Sequence, residues 1–195
     1  MRQILFVQGA GEDVHEQWDN KLVESLRREL GAGYEIRYPR MPNEADPRAD
    51  VWGATLQSEI AALPSGAIVV GHSLGGTILV NVLAEGARAD GLGAIVLIAA
   101  PFIGDGGWKS DDIEPRPDLA ARLPAGVPVF LYHGDKDTIA PISHVSLYAD
   151  AIPHAHVRQL INRDHQLNNN LSEVASDIRR LEADSLDVRR SLEQI

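Results

Sequence analysis

Short apolar runs alternate along this chain with longer stretches in which apolar positions recur every three or four residues. The runs at 4–8, 34–38, 67–70, 94–98, 127–132 and 157–161 have the length and content of buried strands. Between them, Trp18, Leu22, Val23, Leu26 and Leu30 form a helix-spaced stripe, and Val51, Trp52, Thr55, Leu56, Ile60 and Leu63 form a second. Asp46 followed by Pro47 predicts an N-cap and first-turn proline for that second helix. A third helix is predicted from Ser73 to about Gly86, a fourth on Ile142, Val145, Ala149 and Ile152, and a fifth on Leu171, Val174, Ala175, Ile178 and Leu181. Regular alternation of strand and helix predicts an α/β fold, a parallel sheet covered on both faces in a three-layer α/β/α sandwich. The stretch 101–124 breaks the pattern with prolines and glycines, and is expected to be a surface loop with a short helix at 119–122. The tail from Leu186 to Ile195 is amphipathic and is expected to pack as a helix on the body. A length of 195 residues without repeats or linkers fits one domain, 1–195.

The third strand runs into Gly71-His72-Ser73-Leu74-Gly75, and a helical stretch follows at once. G-x-S-x-G between a strand and a helix is the pattern of a nucleophile elbow: a turn so tight that only residues without a Cβ fit beside the serine. Ser73 is therefore the candidate nucleophile, and the backbone N–H of Leu74, at the helix start, is a candidate oxyanion donor. A serine needs a base, and the base needs an orienting acid. The fifth strand leads into His133-Gly134-Asp135-Lys136-Asp137, and the sixth is followed by Asn162-Arg163-Asp164-His165. Ser73, Asp137 and His165 thus stand in the chain order Ser…Asp…His. Of the other histidines, His144, His154 and His156 are expected at the surface. His72 is expected to point away from Ser73, and His133 to pack beneath the acid turn.

Composition narrows the function classes. The absence of cysteine excludes disulfides, thiolate metal sites and a cysteine nucleophile. A net charge of −10 without a basic cluster argues against a nucleic-acid partner. No segment approaches the ~20 apolar residues of a membrane span, and the N-terminal apolar run is too short for a signal peptide, so a cytoplasmic location without membrane contact is expected. Two nucleotide-binding readings fail on their chemistry. Gly9-Ala10-Gly11 follows a first strand, but Val14 stands where a dinucleotide fingerprint needs glycine or alanine. Thr77 stands where a phosphate loop needs lysine. His133, Asp135 and Asp137 lack a matched ligand pair at helical spacing, so neither metal nor cofactor is expected.

Gly71-His72-Ser73-Leu74-Gly75-Gly76 and Gly134-Asp135-Lys136-Asp137 resemble the α/β-hydrolase superfamily over almost the whole chain. In size and in the missing lid, the chain looks like the small serine hydrolases that include retinoblastoma-binding protein nine and its bacterial relatives. The resemblance implies a six-stranded parallel sheet of order 2-1-3-4-5-6 and hydrolysis of an ester, thioester or amide through an acyl-enzyme. It places the acid three residues after Gly134, at Asp137, and leaves Asp135 as its rival with a turn role. It implies a second oxyanion donor at Ala10, in the turn Gln8-Gly9-Ala10-Gly11, where Gln8 replaces the usual histidine. The expected partner is a small acyl substrate at an open, shallow site, with Met41, Phe102, Ile103 and Trp108 as candidate walls. Acyl transfer by the same triad, and a non-catalytic interaction module on the same fold, stay open as alternatives; the oligomeric state is not encoded in any feature of the chain.

Overall fold

The computed structural model describes residues 1–181 apart from Arg88, Asp90 and Pro117, so the tail at 186–195 lies outside the described residues. Six strands, β1 (Arg2–Val7), β2 (Tyr34–Arg37), β3 (Ile68–His72), β4 (Ala94–Ile98), β5 (Val129–Gly134) and β6 (His156–Leu160), form one sheet of order β2-β1-β3-β4-β5-β6. All pairings are parallel, with Ile4 opposite Ile68, Val70 opposite Val96, Ile98 opposite Tyr132 and Phe130 opposite His156. The helices are α1 (Asn20–Leu30), α2 (Ala49–Ala61), α3 (Ser73–Ala84), the short α4 (Leu119–Arg122), α5 (Ser143–Ala151) and α6 (residues 172–181). Among the described residues no helix is long and apolar enough to cross a membrane.

Successive side chains of a strand point to opposite faces, and this divides the core in two. Leu5, Val7, Val69, Ile95, Leu97, Val129 and Leu131 pack with α2, α3 and α5 on one face. Ile4, Phe6, Ile68, Val70, Val96, Ile98, Phe130 and Tyr132 pack with α1 and α6 on the other. Because both faces are covered, β3 and β4 are buried along their whole length, and 68–70 and 94–98 read as unbroken apolar runs. Helix α3 crosses the middle of the sheet and is apolar nearly all round. Strand β6 is the exception. It is one of the two edges of the sheet and largely exposed, held by Arg158, whose guanidinium donates to both oxygens of Asp177 on α6 at 2.5 and 2.6 Å. The Tyr132 hydroxyl donates to the same carboxylate at 2.7 Å.

Three expectations need correction. Trp18 does not belong to the α1 stripe: a π-helical turn, Val14–Asp19, precedes α1 and shifts the register, leaving Trp18 52% exposed beneath the Lys21 ammonium. Asp46 and Pro47 lie in the turn before α2, which starts at Ala49 with Arg48 in the extended N-cap position. His144 is buried, with its Nδ1 accepting the Phe102 N–H at 2.7 Å.

Candidate active site

In an open parallel sheet, the crevice outside the strand C-termini opens where successive connections run in opposite directions. Here that point lies between β1 and β3, and the segments leaving those two strands are 8–11 and the start of α3. Ser73 joins β3 to α3 with φ +51°, a left-handed conformation that costs a non-glycine residue about 1–3 kcal/mol. The glycines permit the turn by allowing backbone to touch backbone. A Cβ on Gly75 would overlap the Gln8 carbonyl oxygen, and one on Gly71 would overlap the Cα of Gly76. The elbow is thus pressed directly against the segment leaving β1.

His165 lies 92 residues downstream of Ser73, and its Nε2 is 2.9 Å from the Ser73 hydroxyl. Its Nδ1 is 2.8 Å from Asp137 Oδ2. The Asp137 side chain is fully buried. Its Oδ1 accepts the backbone N–H groups of Ile139 and Ala140 at 2.8 and 2.9 Å, and its Oδ2 lies 3.0 Å from His133 Nε2. Burial alone would push this carboxyl up. The hydrogen bonds from His133 and His165, then the charge of His165, reverse that and hold it well below the usual carboxylate range. Asp137 is therefore ionised and acceptor-only, which obliges His165 Nδ1 to carry hydrogen and leaves Nε2 free to accept from Ser73. Burial lowers the His165 imidazole below the ordinary histidine value; the Asp137 hydrogen bond opposes this and the nearby charge of His72 adds to it. The rival carboxylate, Asp135, accepts the Asn162 N–H at 2.6 Å and so bridges the acid and base loops without touching His165.

Two backbone donors lie on the two segments that meet at the elbow. Leu74 N–H lies in the first turn of α3, where no intrahelical acceptor exists and no side chain caps the end. The Ala10 N–H has no hydrogen-bond acceptor among the described residues. Ala10 sits in a segment fixed at both sides: Gly9 N–H donates to Asp19 Oδ2 at 2.7 Å, and Gly11 N–H to the Glu44 carbonyl at 2.7 Å. Gln8, in place of the usual histidine, supplies its own support. Its buried amide donates to the Glu44 carboxylate and accepts the Met41 N–H at 3.0 Å.

The candidate wall residues separate. Met41 is buried in the core cluster that also holds Trp52, so its side chain lies away from any open surface. Phe102 and Ile103 line a cleft of about 380 Å³ with Leu147, Ala151, Pro115 and Arg116. Phe102 packs edge-on against Tyr148, and the half-exposed Trp108 packs edge-on against His144. Sequence reasoning missed Asp19 entirely. It is a fully buried carboxylate, and its signal was its position three and four residues before the core residues Leu22 and Val23, on the apolar face of a helix.

A sequence model of the alpha/beta hydrolase family matches residues 4–187. The chain belongs to that family. Similar solved structures carry the same fold at low identity. The ydeN gene product of B. subtilis superposes with a TM-score of 0.74 at 19% identity, covering 94% of this chain and all of that one. Est1E of Butyrivibrio proteoclasticus, solved with ferulic acid bound, gives 0.69 at 13% over 96% and 90%. An α/β serine hydrolase without a lid from Xanthomonas campestris gives 0.60 at 16% over 92% and 79%. No curated protein sequence matches the chain. The family match supports a hydrolase, and the neighbours share its fold.

Proposed function

We propose that this hydrolase is a serine hydrolase that cleaves small to medium esters, thioesters or amides through a covalent acyl-enzyme. The observation that carries the reading is the continuous chain from Ser73 Oγ through both nitrogens of His165 to Asp137, closed at 2.9 and 2.8 Å by residues far apart in sequence. In the first half-reaction Ser73 Oγ bonds to the acyl carbon while His165 Nε2 takes its proton. Asp137 stabilises the imidazolium that forms. Negative charge then collects on the carbonyl oxygen, where the N–H groups of Ala10 and Leu74 meet it, assisted by the positive end of α3. His165 returns the proton to the leaving group as its bond to carbon breaks. Water repeats the sequence on the acyl-enzyme and releases the acid and free Ser73.

Phe102, Ile103 and Trp108 are proposed as the acyl-side walls; the cleft that Phe102 and Ile103 line includes no triad residue, so the acyl size is left to the substrate series. The bound ferulic acid of Est1E and the esterase and serine hydrolase names of other neighbours support the serine hydrolase reading. A stopped-flow series of aryl esters of increasing acyl length tests the proposal. A burst of phenol equal to the enzyme concentration is expected, with turnover lowered on the order of 10⁶-fold in Ser73→Ala. Turnover retained by Ser73→Ala would overturn it.

A further inference from the structure

Directly behind the proposed triad lies a second aspartate–histidine pair that the mechanism above does not use. His72 precedes the nucleophile and is 1% exposed; Asp19, at the junction of the π-helical turn and α1, is 0% exposed. His72 Nδ1 is 2.9 Å from Asp19 Oδ2, and His72 Nε2 is 3.1 Å from the backbone carbonyl of His165. The two imidazoles stand 4.9 Å apart, centre to centre. Asp19 reaches two further parts of the site. Its Oδ2 also accepts the Gly9 N–H at 2.7 Å, next to the proposed oxyanion donor, and its Oδ1 accepts the Gln166 side chain at 3.1 Å, next to the proposed base.

We propose that Asp19 and His72 are positioning residues, a buried ion pair that holds the His165 backbone and the Gly9-Ala10 turn in register with Ser73. The inference rests on the reading of the site as a serine hydrolase. Its basis is donor counting. Nε2 faces a carbonyl, which only accepts, and Nδ1 faces a carboxylate that is already taking hydrogens from Gly9 and Gln166. An imidazolium satisfies both directions, whereas a neutral imidazole has one N–H for two acceptors. Burial alone would drive His72 neutral, but the charge and hydrogen bond of Asp19 override it and raise the imidazole above its ordinary value; the same partner lowers Asp19 against its own burial. The other titratable groups facing the pair are Asp137 from the acid loop, which reinforces the cation, and Tyr38 from beyond β2. Tyr38 is pushed up by its burial and by the charges of Asp19 and Glu44, and so stays uncharged. The charge on His72 also favours the neutral, proton-accepting form of His165.

Asp19→Asn tests the pair, because the amide keeps the shape and removes the charge that sustains the imidazolium. For aryl ester hydrolysis, kcat is expected to fall about 10- to 100-fold, as small misplacements of catalytic groups do, with KM little changed. The acid limb of the pH–kcat profile is expected to move to higher pH, since His165 loses a neighbouring cation; a merely structural residue would leave the limb in place. A folded Asp19→Asn with wild-type kcat and an unmoved limb would overturn the inference. Should that variant not fold, ¹⁵N spectra of histidine-labelled wild-type protein decide instead. Two protonated ring nitrogens on His72 at neutral pH, while His165 is neutral, support the pair, and an unprotonated His72 nitrogen refutes it. Failure of the functional reading looks different: the wild type itself would show no Ser73-dependent turnover.

Discussion

Replacing Gly75 by alanine adds one methyl group at the place where the elbow meets the segment leaving β1. That methyl would overlap the Gln8 carbonyl oxygen, and lie 2.9 Å from its carbon and 3.0 Å from Val7 Cγ1. Comfortable carbon contacts are about 3.5–4.0 Å, and the overlapped Gln8 oxygen lies closer than either carbon, so α3 and the turn at Gln8 must separate by more than about 1 Å. The atoms in the way are mostly backbone and cannot rotate aside. Intrinsic helix propensity acts in the opposite direction and favours alanine by about 1 kcal/mol, so any loss is attributable to the contact. Overpacking of this kind costs about 1–3 kcal/mol, and a protein of this size loses about 2–4 °C in Tm per kcal/mol. The catalytic effect is expected to be larger than the stability effect. The separation moves Ala10 N–H away from Ser73, and a misplacement near 1 Å costs about 10²-fold in rate. The assay is kcat for an aryl ester beside a thermal melt, with Gly33→Ala as control, since a Cβ there meets nothing within 4 Å. Wild-type kcat in Gly75→Ala would refute the proposed contact between elbow and oxyanion turn.

Other expectations follow from the same geometry. Asp137→Asn should lower kcat about 10⁴-fold by stabilising the wrong tautomer of His165, whereas Asp135→Asn should change it only a few-fold; the reverse order in steady-state kinetics would reassign the acid. Activity should rise with pH as His165 loses its proton, and because that proton is held less tightly than usual, the acid limb should lie below about 6.5; a pH–rate midpoint above that value would contradict the electrostatics. Gln8→Ala should leave the buried Met41 N–H without its acceptor and remove a donor from Glu44, costing about 1–3 kcal/mol in urea unfolding, and an unchanged midpoint would show that this support is dispensable.

The fold was legible because its core obeys simple periodicities. Residues 68–70 of β3 and the whole of β4 are apolar since helices cover both sides, and Leu22, Val23, Leu26 and Leu30 mark the buried face of α1. The elbow was legible because its strain demands a local pattern of glycines around one serine. Other features depended on contacts that no local pattern encodes. The π-helical turn that turns Trp18 outward also turns Asp19 inward, and it has no signature in apolar spacing. The side-chain partners of Asp19 are 53 and 147 residues away, so the buried charge was visible in sequence only as a misplaced carboxylate. Met41 read as a wall because it is a large apolar residue in a loop. It is buried because its N–H is tied to Gln8 and its side chain joins the core between the sheet and α2 and α3. The edge strand β6 was placed nearly correctly, although Ile161, which the run included, lies beyond its end and is exposed.

The central claim is that Ser73 is an activated nucleophile. A fluorophosphonate probe forms a stable bond only with such a serine, and mass mapping of the labelled peptide identifies the residue. The account predicts stoichiometric modification of Ser73 that is lost in Ser73→Ala and suppressed by denaturation before labelling. Folded wild-type protein that takes up no label, or is labelled at a different residue, would contradict it.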